Sequence, residues 1–165
     1  MTNQDKIYRK YMNILSGMFK RSYENKGLKA SGKWGKSLAT FSDKRGVGVE
    51  ADYNSSIMMT KGRYPYGSQD PKVTGSYSNI GAIKEWIKVK QGLPQAFKDN
   101  PDKFAFIIAR KHFLEGVKVP NEHNKGNVLS EPIDDFVRNY LPKMWDELGS
   151  SYVFELQKTI TKNFK

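Results

Sequence analysis

His112 and His123 are the two imidazoles of the sequence. An imidazole becomes a general base or a metal ligand only when other groups stand at reach of it. His112 falls inside a helical pattern and His123 inside the polar stretch Asn-Glu-His-Asn, and no HExxH or comparable spacing joins either to carboxylates. Nucleophilic catalysis fares no better. No serine stands in a GxSxG context, and there is no cysteine, which removes disulfides and thiolate metal sites. Gly46-Val-Gly48 lacks the third glycine and the following helix of a phosphate-binding loop. Asp134-Asp135 is the one adjacent carboxylate pair at a predicted helix start, where acidic residues complement the helix dipole. Glu85, Glu115, Glu147 and Glu155 are scattered over predicted helix faces. The expectation is a protein that is not an enzyme and has no cofactor or metal site.

Charge is the second source of chemistry. The chain of 165 residues has 28 basic and 17 acidic residues, a net +11. Residues 1–36 hold nine Lys/Arg against Asp5 and Glu24, which is +7 of that total. Such an excess suits a surface facing nucleic acid or an acidic partner, or a solvated helix face. Lys33-Trp34, Arg63-Tyr64 and Tyr66 place aromatic rings beside basic side chains, a pattern that can stack on single-stranded nucleic acid or anchor loops on neighbouring subunits.

Residues 4–25 read as an amphipathic helix on Ile7, Tyr11, Ile14, Leu15 and Met18, with Thr2 or Asn3 as cap and Gly27 as its end. Residues 28–36 read as a basic connector. Ser37–Ser42 and Gly46–Tyr53 flank a turn-prone Asp-Lys-Arg-Gly and predict an antiparallel pair. Residues 55–60 fit either a strand or a short helix, and Lys61–Asn79 is rich in loop formers with Tyr64, Tyr66 and Tyr77 interleaved. Ile80, Ile83, Trp86 and Ile87 predict a helix closing at Gly92. Pro101 opens another, with Phe104, Ile107, Ile108 and Lys111 along one side and Gly116 beyond its end. Val117–Leu129 is irregular and polar. From Ser130 a stripe from Ile133 to Ile160 predicts one long helix kinked at Pro142, with Gly149 a second point of weakness.

Length fits one structural domain: an N-terminal helix and basic connector over 1–36, and an α+β body over 37–165. The longest apolar run, Phe104–Ala109, is far short of the roughly 20 residues that span a bilayer. The N-terminus lacks the apolar core of a signal peptide, so synthesis in the cytoplasm and no membrane partner are expected.

The order of these motifs resembles one family. Gly62-Arg-Tyr-Pro65 is followed by Ile80-Gly-Ala-Ile-Lys-Glu-Trp-Ile-Lys-Val-Lys-Gln-Gly-Leu93. Then come Phe104-Ala-Phe-Ile-Ile-Ala-Arg-Lys111, Leu114-Glu-Gly116, and Asn127-Val-Leu-Ser-Glu-Pro-Ile133. Over roughly residues 34–148 the series resembles the tail-completion proteins of the neck of tailed bacteriophages. The loop over 65–79 is longer than is usual there, Asn127-Val-Leu-Ser replaces Arg-Pro-Phe-Leu, and the last helix runs on past the usual end. The resemblance implies an α+β fold, a small curved antiparallel sheet packed against helices. It implies a structural virion protein at the head–tail junction, made in the host cytoplasm, forming a homo-oligomeric ring (hexamer or dodecamer) around the DNA channel. Portal, adaptor or head-closure proteins and tail-terminator or tail-tube proteins would be its partners, with non-specific contact to packaged DNA. On this reading Tyr64, Tyr66, Tyr77 and His123 are assembly-interface candidates, and Lys33, Lys36, Lys61 and Arg63 face DNA. The alternative is a basic nucleic-acid-binding module using phosphate and stacking contacts.

Overall fold

The computed structural model describes residues 2–28, 32–44, 46–63, 65 and 80–163. Helices predominate, with two small antiparallel strand pairs and a long C-terminal helix, an α+β composition at the coarse level. The chain groups into two compact units. Unit 1 is formed by Met1–Ser22, Ser37–Ala51 and Asn127–Lys165, and unit 2 by Tyr23–Lys36 and Asp52–Gly126.

In unit 1, α1 (Asn3–Asn25) starts where the sequence placed it. Thr2 is the cap: its Oγ1 accepts from the Asp5 N–H at 3.1 Å, and Asp5 Oδ2 accepts from the Thr2 N–H at 2.8 Å. This reciprocal pair satisfies two donors that a helix start leaves open. Hydrogen bonding to the Asp5 carboxyl from the Thr2 backbone N–H, and next from the Thr2 side chain, holds it below its ordinary range. The hairpin β1 (Ala39–Asp43) and β2 (Gly46–Glu50) pairs Ala39 with Glu50 through to Asp43 with Gly46. Phe41 lies opposite Gly48, and a Cβ at Gly48 would stand 2.8 Å from the Phe41 ring. The glycine therefore lets the ring lie across the neighbouring strand.

The predicted long helix is two. α7 (Ser130–Asn139) ends at Tyr140, and α8 runs Leu141–Asn163. Pro142 has no N–H to give to the Arg138 carbonyl and its ring crowds that turn, so the chain breaks just ahead of it. Gly149 causes no second break, since α8 continues through it. The stripe read as one face also divides. Phe136, Met144 and Leu148 are buried with Tyr11, Met12 and Met18, and Val49, Tyr140 and Leu141 pack against them. Ile133, Val137, Trp145, Tyr152, Leu156 and Ile160 are exposed.

Unit 2 corrects the reading of residues 28–36 as a plain connector, because Lys33–Ser37 forms a helical turn, α2. Trp34 anchors it: the side chain is 3% exposed, its ring lies 5.0 Å from that of Tyr23, and Nε1–H donates to Ser56 Oγ at 3.0 Å. Residues 55–60, open between strand and helix on sequence, lie in α3 (Tyr53–Thr60), which also takes Tyr53 from the predicted strand and is capped by Asp52 Oδ2 accepting from the Ser55 N–H at 2.8 Å. A two-residue strand pair, β3 (Gly62–Arg63) with β4 (Val117–Lys118), was not predicted. It depends on Gly62, whose φ is +73° and where a Cβ would stand 1.9 Å from the Val117 carbonyl oxygen.

The remaining elements are α4 (Ile80–Val89), α5 (Gln95–Asp99) and α6 (Pro101–Glu115), with Pro101 in the first turn of α6 and Gly116 at its end. Their core is Ile83 and Ile87 against Ala105 and Ala109, flanked by Phe97 stacked 4.0 Å from Phe104. On α4 the predicted Ile83 and Ile87 are the core; on α6 the predicted Phe104 and Ile108 pack against it, but Ala105 and Ala109, one residue on from each, are the buried ones. Trp86 is 37% exposed, and Ile107 and Phe106 face outward. Two alanines one turn apart allow close approach of the α4 isoleucines, so the small residues and not the large ones mark the packed side.

Candidate functional site

The assembly tyrosines Tyr64, Tyr66 and Tyr77 lie outside the described residues. Lys33 and Lys36 are exposed on α2, and Lys61 is exposed where α3 ends, its N–H bonded to the Ile57 carbonyl at 2.8 Å. Arg63 lies in β3, directly after Gly62. The Trp34–Ser56 bond ties α2 to α3, which sets the elements that carry Lys33, Lys36 and Lys61 in one unit. Lys33 also acts on Glu85, whose carboxyl is lowered first by the Lys88 hydrogen bond and more weakly by the positive charges of Lys84 and Lys33.

The polar stretch 117–129 is more ordered than its composition suggests. Asn121 Oδ1 accepts from the N–H groups of His123 and Asn124, both at 2.8 Å, while its Nδ2 donates to the Lys118 carbonyl at 2.7 Å. Asn124 then links the turn outward, donating to the Met59 carbonyl at 2.9 Å and accepting from the Gly126 N–H. Asparagine does this because its short amide can mimic a backbone turn. The result is a pinned turn that presents His123, with a side chain 88% exposed, at its tip beside Glu122. Such an exposed tip can contact a partner. Among the described residues no group of three or more His, Asp or Glu could hold a metal ion, and no helix is long and apolar enough to cross a membrane. Asp134 and Asp135 are exposed on α7, and Asp135 accepts from the Asn139 side chain one turn on.

Two surfaces emerge that the sequence reading did not single out. One is the outer side of α6. With Ala105 and Ala109 turned to the core, helical geometry sends Lys103, Ile107, Lys111 and Leu114 to the opposite side, with Phe106 on the flank between. Phe106, Ile107 and Leu114 are exposed large apolar residues, set among Lys103 and Lys111. The signal was present as the Ala105/Ala109 and Ile83/Ile87 pairs at one-turn spacing, which fix the inner sides and so the outer ones.

The second surface is on α1. Lys6, Arg9, Lys10, Lys20 and Arg21 are all exposed, and at about 100° per residue they fall on one side of the helix. Lys10 on that side also donates to Glu147 Oε1 of α8, which accepts from Tyr11 Oη–H at 2.8 Å. These two bonds, Lys10 before Tyr11, hold the Glu147 carboxyl low. The aromatic-stacking candidate Trp34, in contrast, is spent on the fold: its buried ring is not open to a base.

No family model, no curated protein and no solved structure matches the chain.

Proposed function

We propose that this chain is a structural subunit of a tailed-bacteriophage particle, acting where tail meets head as part of a ring around the DNA channel. The observation that carries the assembly part of this reading is the outer side of α6, where Phe106, Ile107 and Leu114 are left exposed among lysines. Exposed large apolar groups rimmed by polar ones mark protein–protein contact sites. Their basic surroundings favour an acidic partner surface. The head–tail part rests on the motif order from Gly62 to Ile133, and with it goes the finer fold, a small curved sheet packed against helices. A ring needs two different complementary surfaces per subunit, and the α6 side and the pinned His123 turn are two such features.

The experiment is reconstitution with the portal, adaptor and tail-tube proteins of the same phage. Binding to one of them, abolished by Phe106→Asp or Leu114→Asp, is the expected outcome. No binding to any of the three sinks the head–tail reading.

The basic side of α1 favours a second reading, a non-specific phosphate-binding surface. Its affinity for duplex DNA would fall linearly in log–log form with salt, with a slope reporting the phosphates engaged. Reversing Lys20 and Arg21 to Glu should flatten that slope. Absence of binding at low salt would remove the reading.

A further inference from the structure

Opposite its buried residues Tyr11, Met12, Met18 and Phe19, α1 turns one side to the exterior. The cations of that side are grouped at its two ends, all within unit 1. Lys6, Arg9 and Lys10 stand at one end and Lys20 and Arg21 at the other, while residues 11–19 carry no charge. Lys10 is engaged by Glu147 of α8, so the side acts through two pairs, Lys6 with Arg9 and Lys20 with Arg21. About 17 Å of helix separates Arg9 from Lys20. Glu24 closes the side one turn past Lys20, and Asp5 lies off it, tied to Thr2.

What lies between the pairs limits what the side can read. Gly17 has no side chain, and a Cβ there would meet nothing within 4 Å. Asn13 is the one amide between them, and its Oδ1, which a bidentate contact to adenine needs, already accepts from the Thr40 hydroxyl at 3.1 Å. The rings of Tyr11, Phe19 and Tyr23 are buried. The side therefore has charge, but no base reader and no stacking platform. Single strands are held by stacking as well as by charge, and one laid lengthwise here would carry several phosphates across an uncharged gap. A duplex offers two backbones. Its major groove is roughly 12 Å wide, so the flexible side chains of the two pairs can each meet one wall. An anionic membrane would need apolar groups to seat the helix, and those of α1 are in the core.

We propose that α1 binds double-stranded DNA without reading its sequence, lying across the major groove with Lys6 and Arg9 on one backbone and Lys20 and Arg21 on the other. The proposal rests on the reading of this side as phosphate-binding, to which it adds the ligand class and the mode. It stands whether or not the head–tail reading holds.

Fluorescence anisotropy of the full chain tests it, with a short DNA duplex, either single strand, an RNA duplex and anionic phospholipid vesicles as competitors. The DNA duplex should bind roughly tenfold tighter than its single strands, whatever its sequence, with a log–log salt slope of about −3.6 for four phosphates. The RNA duplex should compete as weakly as a single strand, since its deep, narrow major groove cannot be spanned in this way. Lys6→Glu with Arg9→Glu, or Lys20→Glu with Arg21→Glu, should each abolish the preference for duplex while circular dichroism is unchanged, because one pair reaches one backbone. Equal binding of duplex and single strand overturns the proposal but leaves the phosphate-binding reading, as does a duplex preference that survives loss of either pair. Vesicles that compete as well as duplex overturn the choice of ligand. No binding of duplex at low salt removes the proposal and the reading together.

Discussion

In unit 1 the core is built from long or aromatic side chains, Tyr11, Met12, Met18, Phe136, Met144 and Leu148, whereas in unit 2 two alanines, Ala105 and Ala109, lie directly against Ile83 and Ile87. The charge differs as well. Unit 2 holds 16 basic and 8 acidic residues of the sequence, a net +8, while unit 1 holds 12 and 9, a net +3. Flexible methionines can adjust to a changed neighbour, but a helix pair spaced by alanine cannot admit a larger side chain without moving apart. Unit 2 thus combines a tightly specified scaffold with most of the charge. Unit 1 combines an adaptable core with the exposed apolar side of α8. Each offers a partner both kinds of surface: the outer residues of α6 among lysines in unit 2, and the open side of α8 with the basic side of α1 in unit 1.

Substitutions at backbone-critical and core positions should split the two units. Gly62→Ala should be the most costly, roughly 3 kcal/mol or more, since it adds a Cβ at positive φ against the Val117 carbonyl. Hydrogen exchange should show protection lost around β3 and β4 while α7 and α8 keep theirs; uniform loss would mean that the units do not respond separately. Next, Ala109→Leu should cost about 1–3 kcal/mol in urea unfolding, whereas Met144→Leu should cost less than about 1.5. Equal costs would erase the difference between the cores.

A smaller effect is expected from Asp52→Ala, which removes the cap of α3 and should cost about 1 kcal/mol. Asp52→Asn, still able to accept the Ser55 N–H, should recover most of it.

The smallest effect is a pH dependence in unit 1. The Glu147 carboxyl is held low by Lys10 and then Tyr11, so the folded form binds its proton less readily than the unfolded chain. Its contribution is present above the ordinary glutamate range and is lost as pH falls through the lowered folded value. Lys10 is raised, first by the same bond to Glu147, so its contribution holds below the ordinary lysine value and is lost as pH rises through the raised one. Thermal unfolding of Glu147→Gln should therefore differ from wild type at neutral pH and converge with it in acid. A constant offset across that range would show that the carboxylate charge is not what stabilises the pair.

Much of the helical framework was legible. Asn3–Asn25, Ile80–Val89 and Pro101–Glu115 were foreseeable from apolar periodicity with Thr2, Pro101 and Gly116 as punctuation, because periodicity, caps and breakers act within a few residues. The hairpin followed from two short segments around the turn-prone Asp-Lys-Arg-Gly for the same reason. The candidate surfaces were less legible. His123 was found as a polar loop residue, but the turn that presents it depends on Asn121 and on Asn124 reaching Met59, sixty-five residues away in sequence.

What the sequence determined by itself, then, is the main helices and the hairpin, the charge, and the motif order from Gly62 to Ile133. Only the tertiary structure decided which side of each helix is used. Trp34, beside a lysine, reads as a stacking platform until Ser56 and Tyr23 close over it; Ile107 and Leu156 read as core until Ala109 and Leu148 take those places. The physical reason is that an apolar side chain marks a helix face for burial without naming its cover. A stripe wider than the chain can bury within itself looks, residue by residue, the same as a core.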